Sequence, residues 1–217
     1  MPALTTVRIW FTKTGEASYI SLLDLQRVMQ RSLKRSEIPV WYTMGFNPHI
    51  YMTFASPLPL GQESLVESVD VKTAQDPVQF EKWQESLNKV MPRGICVTKV
   101  AIPEHKAEAI RFARYTVQFP LSAKSSLEAY NQLESAVVLK KTKRGHKEIE
   151  LKEALKEIPF VEEEGCLKSE LLLPAGEGSN LNPSLWLNFM QENCGLNATE
   201  ASVLRTALLL ENMQDFS

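Results

Sequence analysis

His49 is the side chain in this sequence best suited to acid–base chemistry, and it lies in a turn-rich segment. Residues 42–64 read YTMGFNPHIYMTFASPLPLGQES, with a tyrosine on either side of the histidine. An imidazole titrates close to neutral pH, so His49 with Tyr42 or Tyr19 could supply the acid and base of a metal-independent ribonuclease. The motifs HxxxH and GxSxG are absent, as is a glycine-rich phosphate loop. A lone histidine more often orders its own loop, and catalysis is therefore the weaker hypothesis.

A stripe of basic residues follows the clearest helical pattern in the chain. Apolar residues recur every three or four positions, which predicts a helix over 21–37. The residues expected on its buried face are Leu22, Leu25, Val28, Met29 and Leu33. Arg27, Arg31 and Lys34, with Arg35, lie on the opposite side, which is either a solvated face or a contact surface for phosphates or an acidic partner. Asp24 precedes them by one turn and is expected to satisfy backbone donors at the helix start; we keep it among the candidate binding residues.

A second basic cluster lies in LKKTKRGHK, residues 139–147. Its cations are Lys140, Lys141, Lys143 and Arg144, followed by Lys147. Basic residues this dense could contact several phosphates. The alternative is a solubilising hairpin tip beside the acidic segment that follows.

Two carboxylates are further candidate binding residues. Alternation in LVESVDV places Glu67 with Leu65 and Val69 on the apolar side of a strand. A buried carboxylate is costly unless it is paired, so Glu67 belongs either to a structural ion pair or to a functional site. Glu63 lies just before it, in the turn PLGQES.

The turn residues of the 42–64 segment predict its shape. Gly45 and Gly61 permit tight turns, while Pro57 and Pro59 stiffen the chain. We expect one rigid lip beside the start of the basic helix, on which Asn47 and His49 offer polar contacts.

The elements that position these residues fall into two similar halves. Strands are predicted at 7–14, 50–55, 64–73 and 94–103, and helices at 21–37 and 76–91, in the order β-α-β-β-α-β. The order repeats with strands at 114–121, 137–144, 165–176 and 201–212 and helices at 125–137 and 182–195. A charged insertion near 145–164 is either a hairpin arm or a short helix. The prediction is an α+β fold of two tandem ferredoxin-like domains with antiparallel sheets, residues 1–103 and 104–217.

Composition limits the classes of function. Hydrophobic residues make up 44% and charged residues 23% of the 217 residues, which is ordinary for a soluble globular protein. The three cysteines are far apart, so they predict neither a disulfide framework nor a metal or iron–sulfur site, and they favour a reduced, cytoplasmic location. We predict no membrane span, no secretory signal and no cofactor. A net charge of −2 means that any nucleic-acid binding must rest on local patches.

Three motifs together resemble a known family. YIS-x-LD begins at Tyr19, GFNPH covers Gly45–His49, and PLPLG-x-ES begins at Pro57, with Glu67 and Asp70 in an E-x-x-D pattern. This combination is similar to the bacterial radical-SAM-linked family of unknown function. The resemblance implies a small protein encoded beside, or fused to, a radical SAM enzyme, in neighbourhoods that include ribosome- and RNA-processing genes. It implies no catalytic residue.

The favoured prediction is a non-catalytic accessory or binding protein that works with a radical SAM enzyme in RNA- or ribosome-related modification. The first alternative is a metal-independent endoribonuclease that uses His49. The second is an adaptor that contacts protein alone.

Overall fold

The computed structural model describes residues 3–142, 145–176 and 179–217. The chain divides into two compact units, one running to Ala109 and including Asp215–Ser217, the other comprising Ile110–Gln214. Both are mixed α+β with antiparallel strand pairs, which confirms the predicted fold class at that level. Within the described ranges, no helix is long and apolar enough to cross a membrane.

The first unit packs two helices against one antiparallel sheet. Its elements are β1 (Thr5–Lys13), α1 (Leu22–Arg35), β2 (Met52–Phe54), β3 (Glu63–Thr73), α2 (Phe80–Asn88) and β4 (Ile95–Ala101). The strands lie in the order β4-β1-β3-β2. Alternate residues of β1 and β3 point into a core that includes Ile9, Phe11 and Val69, with Met29 and Trp83 from the two helices.

The central strand of this unit also buries a cation. Arg8 is fully buried and forms a two-pronged ion pair with Asp70, directly across from it on β3, at 2.7 and 2.9 Å. The guanidinium carbon lies 5.6 Å from the ring centre of Trp10 and 4.4 Å from that of Phe216. Contact with two aromatic rings and a bidentate carboxylate suit arginine in particular.

Side chains of α2 cover the outer edge of β4. The Asn88 amide donates to the Val97 carbonyl at 2.9 Å and accepts from the Val97 N–H at 2.8 Å. The Gln84 amide donates to the Thr98 carbonyl at 3.1 Å. These amides occupy backbone groups that a further strand would otherwise use.

The second unit has a similar sheet with a longer set of connections. Its elements are β5 (Phe112–Pro120), α3 (Lys124–Gln132), β6 (Val137–Thr142), β7 (Gly145–Glu150), α4 (Leu151–Ala154), β8 (Val161–Glu163), β9 (Cys166–Gly176), β10 (Ser179–Asn180), α5 (Pro183–Asn193) and β11 (Ser202–Leu209). Strand β5 lies between β11 and β9, while β8 and β10 both pair with β9. The core centres on Trp186, whose ring meets those of Phe119 and Tyr130 edge to face.

Residues 137–144, predicted as the second strand of this unit's sheet, do not join that sheet where the structure describes them. Strand β6 pairs with β7 in a separate two-stranded hairpin, and the short strand β8 pairs with β9 instead. The charged insertion thus contains both a hairpin arm and a short helix. It is held by the Asn131 amide, which donates to the Ile158 carbonyl and accepts from its N–H, and by the Tyr130 hydroxyl, which donates to the Leu155 carbonyl.

The Arg8–Asp70 pair gives a prediction for stability. Asp70→Ala leaves the Arg8 guanidinium buried without its carboxylate, so we expect the free energy of unfolding to fall by about 3 kcal/mol or more. Urea denaturation followed by tryptophan fluorescence measures the loss. Glu85→Ala, which removes an exposed carboxylate from α2, is the control. A loss of under about 1 kcal/mol, as expected for a surface pair, would contradict the role given to Asp70.

Candidate interaction surface

The start of α1 is fixed by a short network of polar groups. Ser21 caps the helix, its hydroxyl oxygen accepting from the Asp24 N–H at 3.1 Å. The same hydroxyl donates to the Asp24 carboxylate at 2.7 Å, and Arg27 donates to the other carboxylate oxygen at 2.9 Å. These two donors hold the pKa of Asp24 below its ordinary value, the Ser21 hydrogen bond being the larger cause. Asp24 therefore lies at the helix start as expected, but its carboxylate accepts from two side chains, and it is Ser21 that satisfies the backbone donor.

The turn before this helix, Gly15–Tyr19, is anchored to the sheet. The buried Lys13 ammonium donates to the Ser18 carbonyl at 3.0 Å, and the Gly61 N–H donates to the same oxygen at 2.9 Å. At the other end of the turn, the Gly15 N–H donates to the Glu63 carboxylate at 2.5 Å. Glu63 is thereby explained as an anchor of this turn.

Four apolar side chains project into solvent from these anchored segments. Tyr19 is 76%, Leu60 62% and Leu23 57% exposed, and Leu22 is also exposed. Since the Gly61–Ser18 hydrogen bond joins the residues next to Leu60 and Tyr19, these side chains emerge from adjacent backbone. We call Tyr19, Leu22, Leu23 and Leu60 the apolar patch. Leu22 was expected on the buried face, and that expectation is wrong because this face first meets the core at Leu25.

The sequence contains a signal for the apolar patch that the sequence interpretation missed. Leu22 and Leu23 are adjacent in a helix and point about 100° apart, so they cannot both lie at the centre of one buried face. Leu60 lies between Pro59 and Gly61, in a turn at the surface.

The basic residues of α1 continue from the patch along an exposed face. We call Arg27, Arg31, Lys34 and Arg35 the basic stripe, and all four are exposed. Arg27 is paired with Asp24. Among the residues that the structure describes, no carboxylate lies within ion-pair distance of Arg31, Lys34 or Arg35. The stripe is therefore mostly unneutralised within its unit.

His49 makes its contacts within its own loop. Its Nδ1 lies 3.0 Å from the Thr43 hydroxyl and 3.2 Å from the Asn47 carbonyl oxygen. A carbonyl can only accept, so the second contact requires a hydrogen on Nδ1. In the described part of the chain, no hydrogen bond joins His49 to Tyr42 or Tyr19. The imidazole thus orders the GFNPH turn, as the simpler sequence interpretation held.

The GFNPH and PLPLG motifs lie at different ends of β3. Val40 pairs with Thr73 and Trp41 donates to Lys72, so the hairpin that carries GFNPH begins at the end of this strand. PLPLG instead precedes Glu63, where β3 begins, and an eleven-residue strand is roughly 35 Å long. The prediction of one lip beside the start of the helix is wrong, because the chain between the motifs runs extended along β3.

The hairpin offers a second set of exposed groups. Met44 and Phe46 extend into solvent at its tip, and Asn47 is also exposed. An open groove of about 610 Å³ lies at its base, lined by Pro39, Val40, Trp41, Tyr42, Ala74 and Gln75.

Glu67 is buried, as the alternating pattern predicted. Leu65, expected on the same face, is exposed. The register explains the difference: Phe11 pairs with Glu67 but Lys13 with Ser64, so two residues along β1 match three along β3. This β-bulge breaks the alternation.

The second basic cluster is only partly described. Lys140 and Lys141 lie on β6 opposite Lys147 and His146 of β7. Lys143 and Arg144 lie outside the described residues. Across the described ranges, no group of three or more histidine, cysteine or acidic side chains is arranged to hold a metal ion.

The Asp24 network gives a prediction that depends on pH. The pKa of Asp24 is lowered by folding, so its stabilising effect on α1 is present above the ordinary pKa and is lost as pH falls through the folded-state value. We expect Ser21→Ala to raise this pKa more than Arg27→Ala does. Carboxyl carbon NMR of the three proteins across acid pH measures it. An Asp24 pKa that neither substitution changes would contradict the network.

A second prediction concerns how the Gly15–Tyr19 turn is placed. Gly94 has φ +79°, its carbonyl accepts from the Thr14 N–H, and an added β-carbon would collide with the Thr14 carbonyl oxygen and lie 2.9 Å from the Ala17 β-carbon. Gly165 has φ +78° but open space around it. Gly165→Ala should cost about 1–2 kcal/mol for the left-handed backbone alone, and Gly94→Ala clearly more. Urea unfolding compares them, and faster amide exchange at Ala17 and Ile20 in Gly94→Ala locates the damage. Equal costs would refute the close contact.

Comparison with known proteins identifies a family. A comparison with curated proteins finds no match. The family described as an uncharacterized protein conserved in bacteria (DUF2344) matches residues 6–183, which include all three motifs and the apolar patch. The match covers most of the sequence, and the chain therefore belongs to this bacterial family.

Proposed function

We propose that this chain is a non-catalytic, cytoplasmic accessory protein that docks onto a radical SAM enzyme through the apolar patch. The enzyme, encoded nearby, would carry out an RNA- or ribosome-related modification. The observation that carries the proposal is the exposure of Tyr19, Leu22, Leu23 and Leu60 on a backbone held by buried polar anchors.

Such a surface has the features of a protein-binding hot spot. Binding energy at protein interfaces concentrates in a few side chains that become fully desolvated, with tryptophan, tyrosine and arginine enriched among them, and Tyr19 is the patch residue of this class. Rigid support lowers the entropy lost on association. Here Lys13, Gly61 and Glu63 supply that support before any partner arrives.

The radical SAM enzyme is the favoured partner because of where the motifs lie. The motifs that resemble the radical-SAM-linked family include Tyr19, Ser21 and Asp24 at the start of α1, and Gly61 and Glu63 opposite them. These residues form, cap or anchor the patch. Motif residues that resemble those of a family, and that build a docking surface, are better explained by a partner common to the family than by a common reaction.

The geometry gives the ribonuclease alternative less support. His49 uses Nδ1 on Thr43 and Asn47 of its own loop. Its suggested partners, Tyr42 and Tyr19, are not hydrogen-bonded to it among the described residues.

The tandem ferredoxin-like plan is the fold we propose for this module. It is supported by matching neighbours in the two units: β4-β1-β3-β2 in the first and β11-β5-β9-β8 in the second. In each unit a helix follows the first strand and another precedes the last.

Co-purification tests the proposed function. The chain and the radical SAM enzyme encoded beside it are expressed together, with an affinity tag on the enzyme. We expect the wild-type chain to be retained and Tyr19→Ser/Leu23→Ser to be lost, since two anchors are removed. Leu172→Ser, at an exposed leucine of the second unit, is the matched control and should be retained.

Two results would count against the proposal. One is that the wild-type chain is not retained by the enzyme at all. The other is RNA cleavage by the purified chain in EDTA that His49→Ala abolishes, which would establish the ribonuclease instead.

A further inference from the structure

The basic stripe has a composition that a merely solvated helix face does not need. Arg27 and Arg31 are four residues apart, as are Arg31 and Arg35, while Arg31 and Lys34 are three apart. Like charges at these spacings repel each other. Asp24 offsets the charge of Arg27, and the helix dipole favours Lys34 and Arg35 in the last turn. The remaining repulsion is centred on Arg31, and a carboxylate from a partner would relieve it.

The stripe begins beside the apolar patch. Leu22, Leu23 and the stripe belong to α1, Tyr19 belongs to the turn before it, and Leu60 lies in a second turn that the Gly61–Ser18 hydrogen bond joins to the first, all within the first unit. From Leu23 to Arg35 the helix advances about 18 Å at roughly 1.5 Å per residue. An apolar end is thus followed by a cationic stretch of about two turns, from Arg27 to Arg35. Of its four cations, Arg31, Lys34 and Arg35 have no carboxylate within ion-pair distance in the described part of the chain.

The side chains of the patch favour a protein rather than a nucleic acid as the binding partner. Phosphates would suit the stripe, but single-stranded nucleic acid is held by stacking its bases on aromatic rings. Three of the four patch residues are leucines, which have no ring to stack on. Leucine side chains are instead well covered by other apolar side chains.

We infer that the patch and the stripe together bind an acidic amphipathic segment of a partner protein. The segment has apolar side chains at one end, which cover Leu23 and Leu60, and carboxylates along the following two turns, which pair with Arg31, Lys34 and Arg35. This inference rests on the proposed function in taking the patch as a docking surface. It adds the charge and layout of what docks there.

Binding of synthetic peptides to the full chain tests the inference. The first probe is a fluorescent helical peptide of about 18 residues, with leucines at one end and glutamates along the rest. The second has lysine in place of every glutamate, and the third probe is single-stranded oligo-uridine RNA. Fluorescence anisotropy gives the dissociation constants. We expect the glutamate peptide to bind at least about tenfold more tightly than the lysine peptide, and its affinity to fall with added salt.

Variants locate the binding. Arg31→Glu/Lys34→Glu should weaken the glutamate peptide by about tenfold or more, and Leu23→Ser should weaken both this peptide and the co-purified enzyme. Lys82→Glu, an exposed lysine of α2, is the matched control and should leave binding unchanged. Equal binding of the two peptides, binding of neither, or tighter binding of the RNA that is lost in the charge-reversal variant would overturn the inference.

The two proposals can fail separately. If the radical SAM enzyme binds but Arg31→Glu/Lys34→Glu does not weaken it, the acidic partner is wrong and the docking function stands. If the enzyme does not bind but the glutamate peptide does, the enzyme is the wrong partner and the chemistry of the surface stands.

Discussion

The structure of the first unit depends on two cations buried in one strand. Arg8 and Lys13 lie in β1, and a buried charge without a partner would strongly destabilise this unit. Arg8 faces Asp70 across the ladder, so the pair favours a single register of β1 on β3. Lys13 reaches the Ser18 carbonyl, which ties the turn before α1 to the same strand. Sheet register and loop position are therefore specified by the same strand.

This arrangement changes how the sequence motifs are understood. Glycine, histidine and acidic residues in short motifs suggest an active site at first sight. Gly61, Glu63 and His49 instead bind backbone or hydroxyl groups near them. The exposed apolar residues Tyr19 and Leu60 lie next to the two residues that the Gly61–Ser18 hydrogen bond joins. The motif residues thus form a rigid support and the exposed surface that the support carries.

The spacing of apolar residues was sufficient to predict those features that depend only on the residues of one helix or strand. Helix α1, strand β3 and the burial of Glu67 follow from apolar spacing. Features that depend on distant pairing were not predictable in this way. The bulge near Leu65 reflects the match between β1 and β3, and β6 joined a hairpin because β8 supplies the neighbour of β9. The separation of GFNPH from PLPLG likewise depends on where β2 pairs, which sequence spacing does not contain.

The amides of Asn88 and Gln84 on the rim of β4 have a consequence for how copies of this protein meet. Exposed sheet edges are where chains join strand to strand and begin to aggregate. With the Val97 N–H and carbonyl already occupied by Asn88, that route is closed at this rim. Two copies of the chain could therefore join strand to strand at this part of β4 only by displacing these side-chain amides.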